Sequence, residues 1–263
     1  MLAEIHKKIS QTGSNLSDRL EDKLTGDFFG TIRYLPFELG LRHVFSTAEF
    51  IEKQGDENWL KFIENEKGYA TQIEFWHRED EGEIDVLFIN DKALIGIEVK
   101  YLSGLSSDDQ GDGIELDYTE SLNQLSRYSR MIEKLSKDRD SYLLFLAPYE
   151  MMNAVRKNIS NRSIISPSVE LGFMCWQDIH ESLLNLYVNQ IETGQQLILS
   201  DLKALLSKKG FASYKGFNKN IFNQPIMRTA YSFKHKDSIT NNNWIWPNKS
   251  IKEEQVYEFN TTD

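Results

Sequence analysis

Residues Gly82–Lys100 read Gly-Glu-Ile-Asp-Val-Leu-Phe-Ile-Asn-Asp-Lys-Ala-Leu-Ile-Gly-Ile-Glu-Val-Lys. Two apolar runs, Glu83–Ile89 and Ala93–Tyr101, flank a tight Asn90-Asp91-Lys92 turn, a pattern that predicts two antiparallel strands. Side chains on a strand alternate faces with period two. Glu98 and Lys100 therefore share one face and Val99 takes the other, while Asp85 stands on the neighbouring strand. Flanks as apolar as Ala93–Ile97 belong in a core, so charges at the end of such a strand need a reason. An acid and an amine side by side, with a second acid next door, form a candidate metal site with a built-in cation. The plain alternative is a structural ion pair.

Working outward, Tyr69–His77 alternates well enough for a preceding strand, which makes the three a meander, with Arg78–Gly82 as the turn between the first two. Upstream, Leu16, Leu20 and Leu24 recur every fourth residue and predict a helix over Ser14–Leu24, with Gly26 as its stop. Asp27–Leu41, broken by Pro36, reads as extended or loop structure leading to a short helix. Ser46–Asn65 is helical in its second half. Downstream, Leu102–Asp117 is acidic and rich in Ser and Gly, as expected of a mobile loop beside the site. A helix follows over Tyr118–Lys137, then an apolar central strand at Ser141–Ala147, a helix at Glu150–Ile159 and a strand at Val169–Trp176. Amphipathic helices are expected at Ile179–Ile191 and Gln195–Lys208, the latter ended by Gly210. Asn241–Asp263, with Trp244 and Trp246, reads as a hairpin or a docked tail. The expected architecture is one α/β domain over 1–263, with a core of about 14–178, a mixed central sheet flanked by helices, and a helical and aromatic C-terminal extension over about 195–263.

The 263 residues are 40% hydrophobic, enough for a packed core and unlike a disordered chain. No run approaches the ~20 apolar residues of a membrane span. Met1–Gln11 lacks the apolar region of a signal peptide. The single cysteine, Cys175, excludes an intrachain disulfide and multi-cysteine zinc sites, and its apolar neighbours point to a buried structural thiol. A cytoplasmic protein without a membrane partner is expected.

The net charge of −10 argues against simple coating of nucleic acid. Yet between Lys203 and Lys236 there is no Asp or Glu, and Lys208, Lys209, Lys215, Lys219 and Arg228 interleave with Phe211, Tyr214, Phe217, Phe222, Tyr231 and Phe233. Cations for phosphates and ring faces for bases suit a nucleic-acid surface. A packed arm with solvated lysines is the competing reading, and both stay open here.

Two neighbouring carboxylates repel unless a cation lies between them, and hard oxygen ligands suit Mg²⁺ or Mn²⁺. The Val99 carbonyl offers a further oxygen. Beside such an ion, Lys100 would orient or deprotonate an attacking water, while the ion stabilises a pentavalent phosphorus and the leaving oxygen. The reaction class is phosphodiester hydrolysis.

The residues Gly82-Glu83-Ile84-Asp85 and Glu98-Val99-Lys100, with twelve residues between Asp85 and Glu98, resemble the motif of the PD-(D/E)XK nuclease superfamily. The predicted helix–strand–strand–strand–helix–strand order is similar to that superfamily's αβββαβ, restriction-endonuclease-like core. Gln124-Leu-Ser-Arg-Tyr128 looks like the Gln-x-x-x-Tyr motif of its RecB-like and Cas4-like branch, and Gln124 and Tyr128 share a helical face. The resemblance covers about the first 150 residues. It implies metal ligation by Asp85, Glu98 and Glu21 on the first helix, water positioning by Lys100, and support of the active face by Gln124 and Tyr128. It further implies a DNA substrate and a role in anti-phage defence, restriction or repair. The superfamily's Pro-Asp pair is absent, since Ile84 precedes Asp85, and without further cysteines no iron–sulfur cluster is expected. Two other readings stand beside this one. The fold could serve as a non-catalytic interaction module in a defence or repair complex, or the substrate could be RNA. The overall acidity favours a protein partner or a homo-oligomer.

Overall fold

The structure, a computed structural model, describes residues 16–69, 72–109, 116–186 and 191–212. All of these lie in one compact unit, Met1–Gly216. Lys215, Lys219, Arg228 and the Asn241–Asp263 segment lie outside the described residues.

The elements run α1 (Leu16–Ile32), α2 (Leu41–Phe45), β1 (Glu49–Phe50), α3 (Lys53–Asn65), β2 (Gln72–Glu79), β3 (Gly82–Ile89), β4 (Ala93–Val99), α4 (Gln124–Ser136), β5 (Asp140–Ala147), α5 (Tyr149–Ile159), β6 (Glu170–Cys175), α6 (Trp176–Leu184) and α7 (Thr193–Lys208). The sheet order is β1-β6-β5-β4-β3-β2. β2, β3 and β4 form the expected antiparallel meander, whereas β4, β5 and β6 are parallel. A parallel step needs a crossover, and α4 and α5 supply the two crossovers. The fold is α/β, a mixed six-stranded sheet flanked by helices. Among the described residues no helix is long and apolar enough to cross a membrane.

Alternation along β4 divides the core into two layers. Ile95, Ile97 and Val99 pack in one cluster with Leu24 and Phe28 of α1, Trp59 of α3, Trp176 of α6 and Leu199 of α7. Leu94 packs in the other with Leu125, Tyr128 and Ile132 of α4 and Met152 of α5. Gly96 faces this second layer, where α4 rides close to the strand. A Cβ at Gly96 would sit 2.6 Å from Ile132 Cδ1 and also strike Ile84 Cδ1.

Several sequence expectations need correction. Gly26 does not stop α1, which continues to Ile32, because Phe28, Phe29 and Ile32 are fully buried and that burial outweighs the glycine's helix penalty of about 1 kcal/mol. The first part of Asp27–Leu41 is therefore helical rather than extended. α4 begins at Gln124, not Tyr118, because Asn123 is its N-cap and accepts from Leu125 N at 2.9 Å. The strand expected to reach Tyr101 ends at Val99, and the strand expected to include Trp176 ends at Cys175. The helix expected over Ile179–Ile191 spans Trp176–Leu184 instead. Cys175 is a buried capping thiol, as expected: its Sγ accepts from Asp178 N at the start of α6.

Because Gly96 has no room for a side chain, Gly96→Val is expected to destabilise the fold by about 2–3 kcal/mol through overpacking. Urea unfolding should show a lower midpoint at unchanged slope. A midpoint equal to the parent's would mean that α4 does not pack against β4 as closely as described.

Candidate functional site

The β3–β4 ladder runs from Ile89↔Leu94 to Val86↔Ile97 and then stops. At that point the face alternation of β3 slips. Val86 and Phe88 pack in the first core layer, Leu87 in the second, and Ile84 also in the second, so the sequence jumps faces across Asp85. Directly across β2, Trp76 adopts a φ of +52°, rare for a bulky residue. The Asp85 carboxylate consequently enters the gap between the strands, where its Oδ2 accepts from Val99 N at 2.8 Å. A side chain replaces the missing ladder partner. The N–H and C=O of one strand residue face the same neighbour, so the Val99 carbonyl opens onto the same gap.

Glu98 faces the α4 layer and is only 2% exposed. Its Oε1 accepts from Gln124 Nε2 at 2.7 Å and pairs with Lys100 Nζ at 2.7 Å. Asp85 stands close enough that the two carboxyl groups act on each other's protonation. The same Gln124 amide donates to Tyr128 OH at 3.1 Å, and Tyr128 OH donates to the Glu83 carbonyl at 2.6 Å. Gln124 and Tyr128 therefore act as one brace between α4, β3 and β4. The Glu83 side chain lies elsewhere, 3.7 Å from the exposed Arg78, as expected of a residue facing away from the site.

Lys100 lies one residue past β4, although its N–H still reaches Leu146 O at 2.7 Å. Its ammonium passes the end of the sheet and reaches Glu21 Oε1 on α1 at 3.3 Å. Glu21 Oε2 accepts from Tyr101 N at 2.8 Å and from Ser103 Oγ at 2.7 Å. The Lys100 carbonyl accepts from the Trp176 indole at 3.0 Å. Both core layers thus converge on the carboxyl end of β4, where ligand sites of open α/β sheets lie.

The charges in this cluster are unbalanced. Burial, and next the Glu98 charge, push the Asp85 carboxyl well above its ordinary range, against the pull of Lys100 and of the Val99 N–H. Burial also raises Glu98, opposed by Lys100. Two buried carboxyl groups this close favour keeping a proton between them, and both are pushed upward. Burial works against the Lys100 ammonium, but the charges of Glu98 and Glu21 outweigh it and hold the proton on the amine. Burial, then Glu98, pushes the Tyr128 phenol up to about 12, so it remains a donor. With every carboxyl ionised, Asp85, Glu98, Glu21 and Lys100 would carry a net charge of −2, which one divalent cation would cancel.

The oxygens of Asp85, Glu98 and Val99 suit a hard cation such as Mg²⁺ or Mn²⁺. Glu21 stands differently from its expected ligand role. Both of its oxygens are engaged by Lys100, Tyr101 and Ser103, which places it behind the amine. Among the described residues no three His, Cys, Asp or Glu side chains are gathered to hold one ion. The surrounding loop also differs from expectation. Over residues 102–109 and 116–123 it is tied down: Ser106 N donates to Gln124 Oε1 at 2.8 Å, Gln124 N to Ser107 O at 3.1 Å, and Asp108 meets Arg162 Nη1 at 2.9 Å.

Lys208 ends α7 and Lys209 is its C-cap, and Lys209 Nζ lies 5.0 Å over the Tyr101 ring, at the margin of the site. Sequence reasoning missed Tyr101, Ser103 and Trp176. Tyr101 and Ser103 carried one signal, their place just after Lys100. Trp176 carried none. Comparison with protein-family models, with curated proteins and with solved structures returns no match.

The raised carboxyls give a stability prediction. The folded chain holds a proton on Asp85 that the unfolded chain releases near pH ~3.9. Stability should therefore fall as pH rises from that value through the raised folded one. Asp85→Asn keeps the acceptor for Val99 N but removes the titrating group. Without metal, the variant should be more stable than the parent near neutral pH by about 1 kcal/mol, and the difference should close near pH 4. A less stable variant at neutral pH, measured by thermal unfolding, would show that the Asp85 carboxyl is not under this strain.

Proposed function

We propose that the chain is a divalent-metal-dependent nuclease with a restriction-endonuclease-like core, hydrolysing phosphodiester bonds of DNA. The observation that supports it most is the placement of Asp85 and Glu98 side by side where β3 and β4 part, with Lys100 on one side and the Gln124–Tyr128 brace on the other. These are the positions on which the resemblance to PD-(D/E)XK nucleases rests. After α1, with α2, β1 and α3 inserted, come an antiparallel meander, a crossover helix and a parallel strand, an order compatible with the core that resemblance implies.

In this reading Asp85, Glu98 and the Val99 carbonyl would hold the ion, which would supply Lewis-acid stabilisation of the phosphoryl oxygens and of the leaving oxygen. Gln124 fixes the orientation of Glu98. Lys100 remains an ammonium and therefore works as a donor that orients the attacking water and stabilises its developing hydroxide, not as a base. Attack by the water oxygen would form the new P–O bond as the bond to the leaving oxygen breaks, the water's proton passing to bulk solvent and the leaving oxygen taking one up from solvent water.

Defence against foreign DNA and repair are the settings the resemblance implies, and the net charge of −10 favours a protein partner that brings the substrate. A second reading, the non-catalytic interaction module, is favoured by the burial of Glu98 at 2% and Lys100 at 6% exposure.

Incubation with plasmid, linear and single-stranded DNA and with RNA, in Mg²⁺ or Mn²⁺, separates these readings. Metal-dependent cleavage of DNA is expected, with Lys100→Ala and Asp85→Ala each losing roughly a hundredfold or more. Cleavage confined to RNA would shift the substrate class. A folded parent inert on all four substrates would favour the interaction module.

A further inference from the structure

Beside the carboxylate site lies a cationic margin built from parts of the chain far apart in sequence. α7 ends at Lys208, Lys209 is its C-cap, and Gly210 turns the chain with a φ of +86°. Only glycine takes that conformation without strain. The turn is closed by hydrogen bonds from Gly210 N to Ser207 O at 3.0 Å and from Phe211 N to Leu206 O at 3.0 Å. It folds Phe211 back into the core. There the ring stacks on Trp176 at a centroid distance of 5.4 Å and meets Tyr101 edge-on at 5.6 Å. Trp176 is the indole that holds the Lys100 carbonyl, and Tyr101 is the residue that donates to Glu21. The end of α7 is thereby fastened to the two residues that follow β4.

Three lysines gather at this junction. Lys209 Nζ lies over the Tyr101 ring at 5.0 Å, a cation–π distance. Lys208 is exposed beside it. Lys23 is exposed on α1, two residues past Glu21. Burial, then the charge of Lys23 and, more weakly, that of Lys208, lowers the Lys209 ammonium, and α1 packs against α7 here. Asp27, one helical turn beyond Lys23, offsets part of that charge. Among the described residues none of the three lysines is in an ion pair. By contrast, Lys100 and Lys134 both have carboxylate partners. Like charges held together at a rigid, partly desolvated junction raise the local potential and favour a polyanion over a single small anion.

We infer that Lys209 over Tyr101, with Lys208 at the end of α7 and Lys23 on the packed α1, forms a phosphate-binding ledge that carries the DNA backbone to the Asp85–Glu98 site. The inference rests on the nuclease reading for its substrate, but it concerns binding and is tested without catalysis. A strand held by its phosphates on this ledge lies next to Tyr101 and Ser103, the residues that tie Glu21 behind Lys100. Binding and the site's hydrogen-bond network then meet at a single two-residue step of the chain.

The test is fluorescence anisotropy of labelled single-stranded and duplex DNA with the full chain in EDTA, over a series of salt concentrations. Lys23→Gln with Lys209→Gln should weaken binding roughly tenfold and make the salt slope shallower by about 0.7–0.9 per lysine removed. Lys209→Arg should keep the parent's affinity, which guards against loss of the Tyr101 packing as the cause. Lys61→Gln with Lys157→Gln removes the same charge from exposed positions on α3 and α5 and should change little. Equal weakening in both double variants would reduce the effect to net charge and overturn the ledge, as would unchanged binding in the first pair or no DNA binding by the parent. The nuclease reading fails separately. A chain that binds DNA through the ledge yet never cleaves it in metal keeps this inference and loses that one.

Discussion

A carboxylate inside a protein must be partnered, and the whole arrangement at the end of β4 follows from having Glu98 there. Removing such a group from water costs several kcal/mol unless hydrogen bonds and opposite charge replace the solvent. Glu98 obtains these from Lys100 and Gln124, with Asp85 beside it, and each of the three recruits further support. Lys100 needs Glu21, which ties α1 to the sheet's end. Gln124 needs Tyr128 and the Ser106 N–H, which tie α4, β3 and the loop after β4. Asp85 needs the Val99 N–H, which is available only because the β3–β4 ladder has already stopped. Both core layers are drawn to this point by polar contacts, although apolar burial holds each layer together.

The parting of β3 and β4 gives the same residues two roles. In a regular ladder Asp85 would stand opposite Glu98 on the same face, with backbone bonds filling the space between the strands. With the ladder ended, the Asp85 side chain takes over a backbone acceptor's position at Val99 N while staying beside Glu98. The raised proton affinities of the pair follow from that closeness and from burial. So does the net charge of −2 that full ionisation of the cluster would leave, which a divalent cation would cancel. Instability in the empty state and affinity for a cation are thus two sides of one geometry.

How far this was legible in the sequence depended on the range of the interaction. The meander was readable because β3 and β4 carry strong alternating runs joined by a three-residue turn. Glu98, Lys100, Gln124 and Tyr128 were readable because period two and the i, i+4 spacing fix their faces. The extent of α1 was not, since local glycines argued for a stop while the burial of Phe28, Phe29 and Ile32 against distant strands decided otherwise. Glu21 was placed on the correct element, but its turn toward Lys100, Tyr101 and Ser103 depends on contacts some eighty residues away. The loop from Leu102 looked mobile because its composition is polar and small. Its anchors, Gln124 and Arg162, lie on other segments, and only the folded chain brings them together.

The bond from the Trp176 indole to the Lys100 carbonyl also gives the molecule an internal optical gauge. Indole emission responds to nearby charge and to the hydrogen bond at its nitrogen, and this indole is fully buried beneath Phe211. Any event that alters the charge balance around Lys100 changes the field at that ring. The centre that the fold keeps from solvent is therefore visible from outside, through a chromophore the chain already contains.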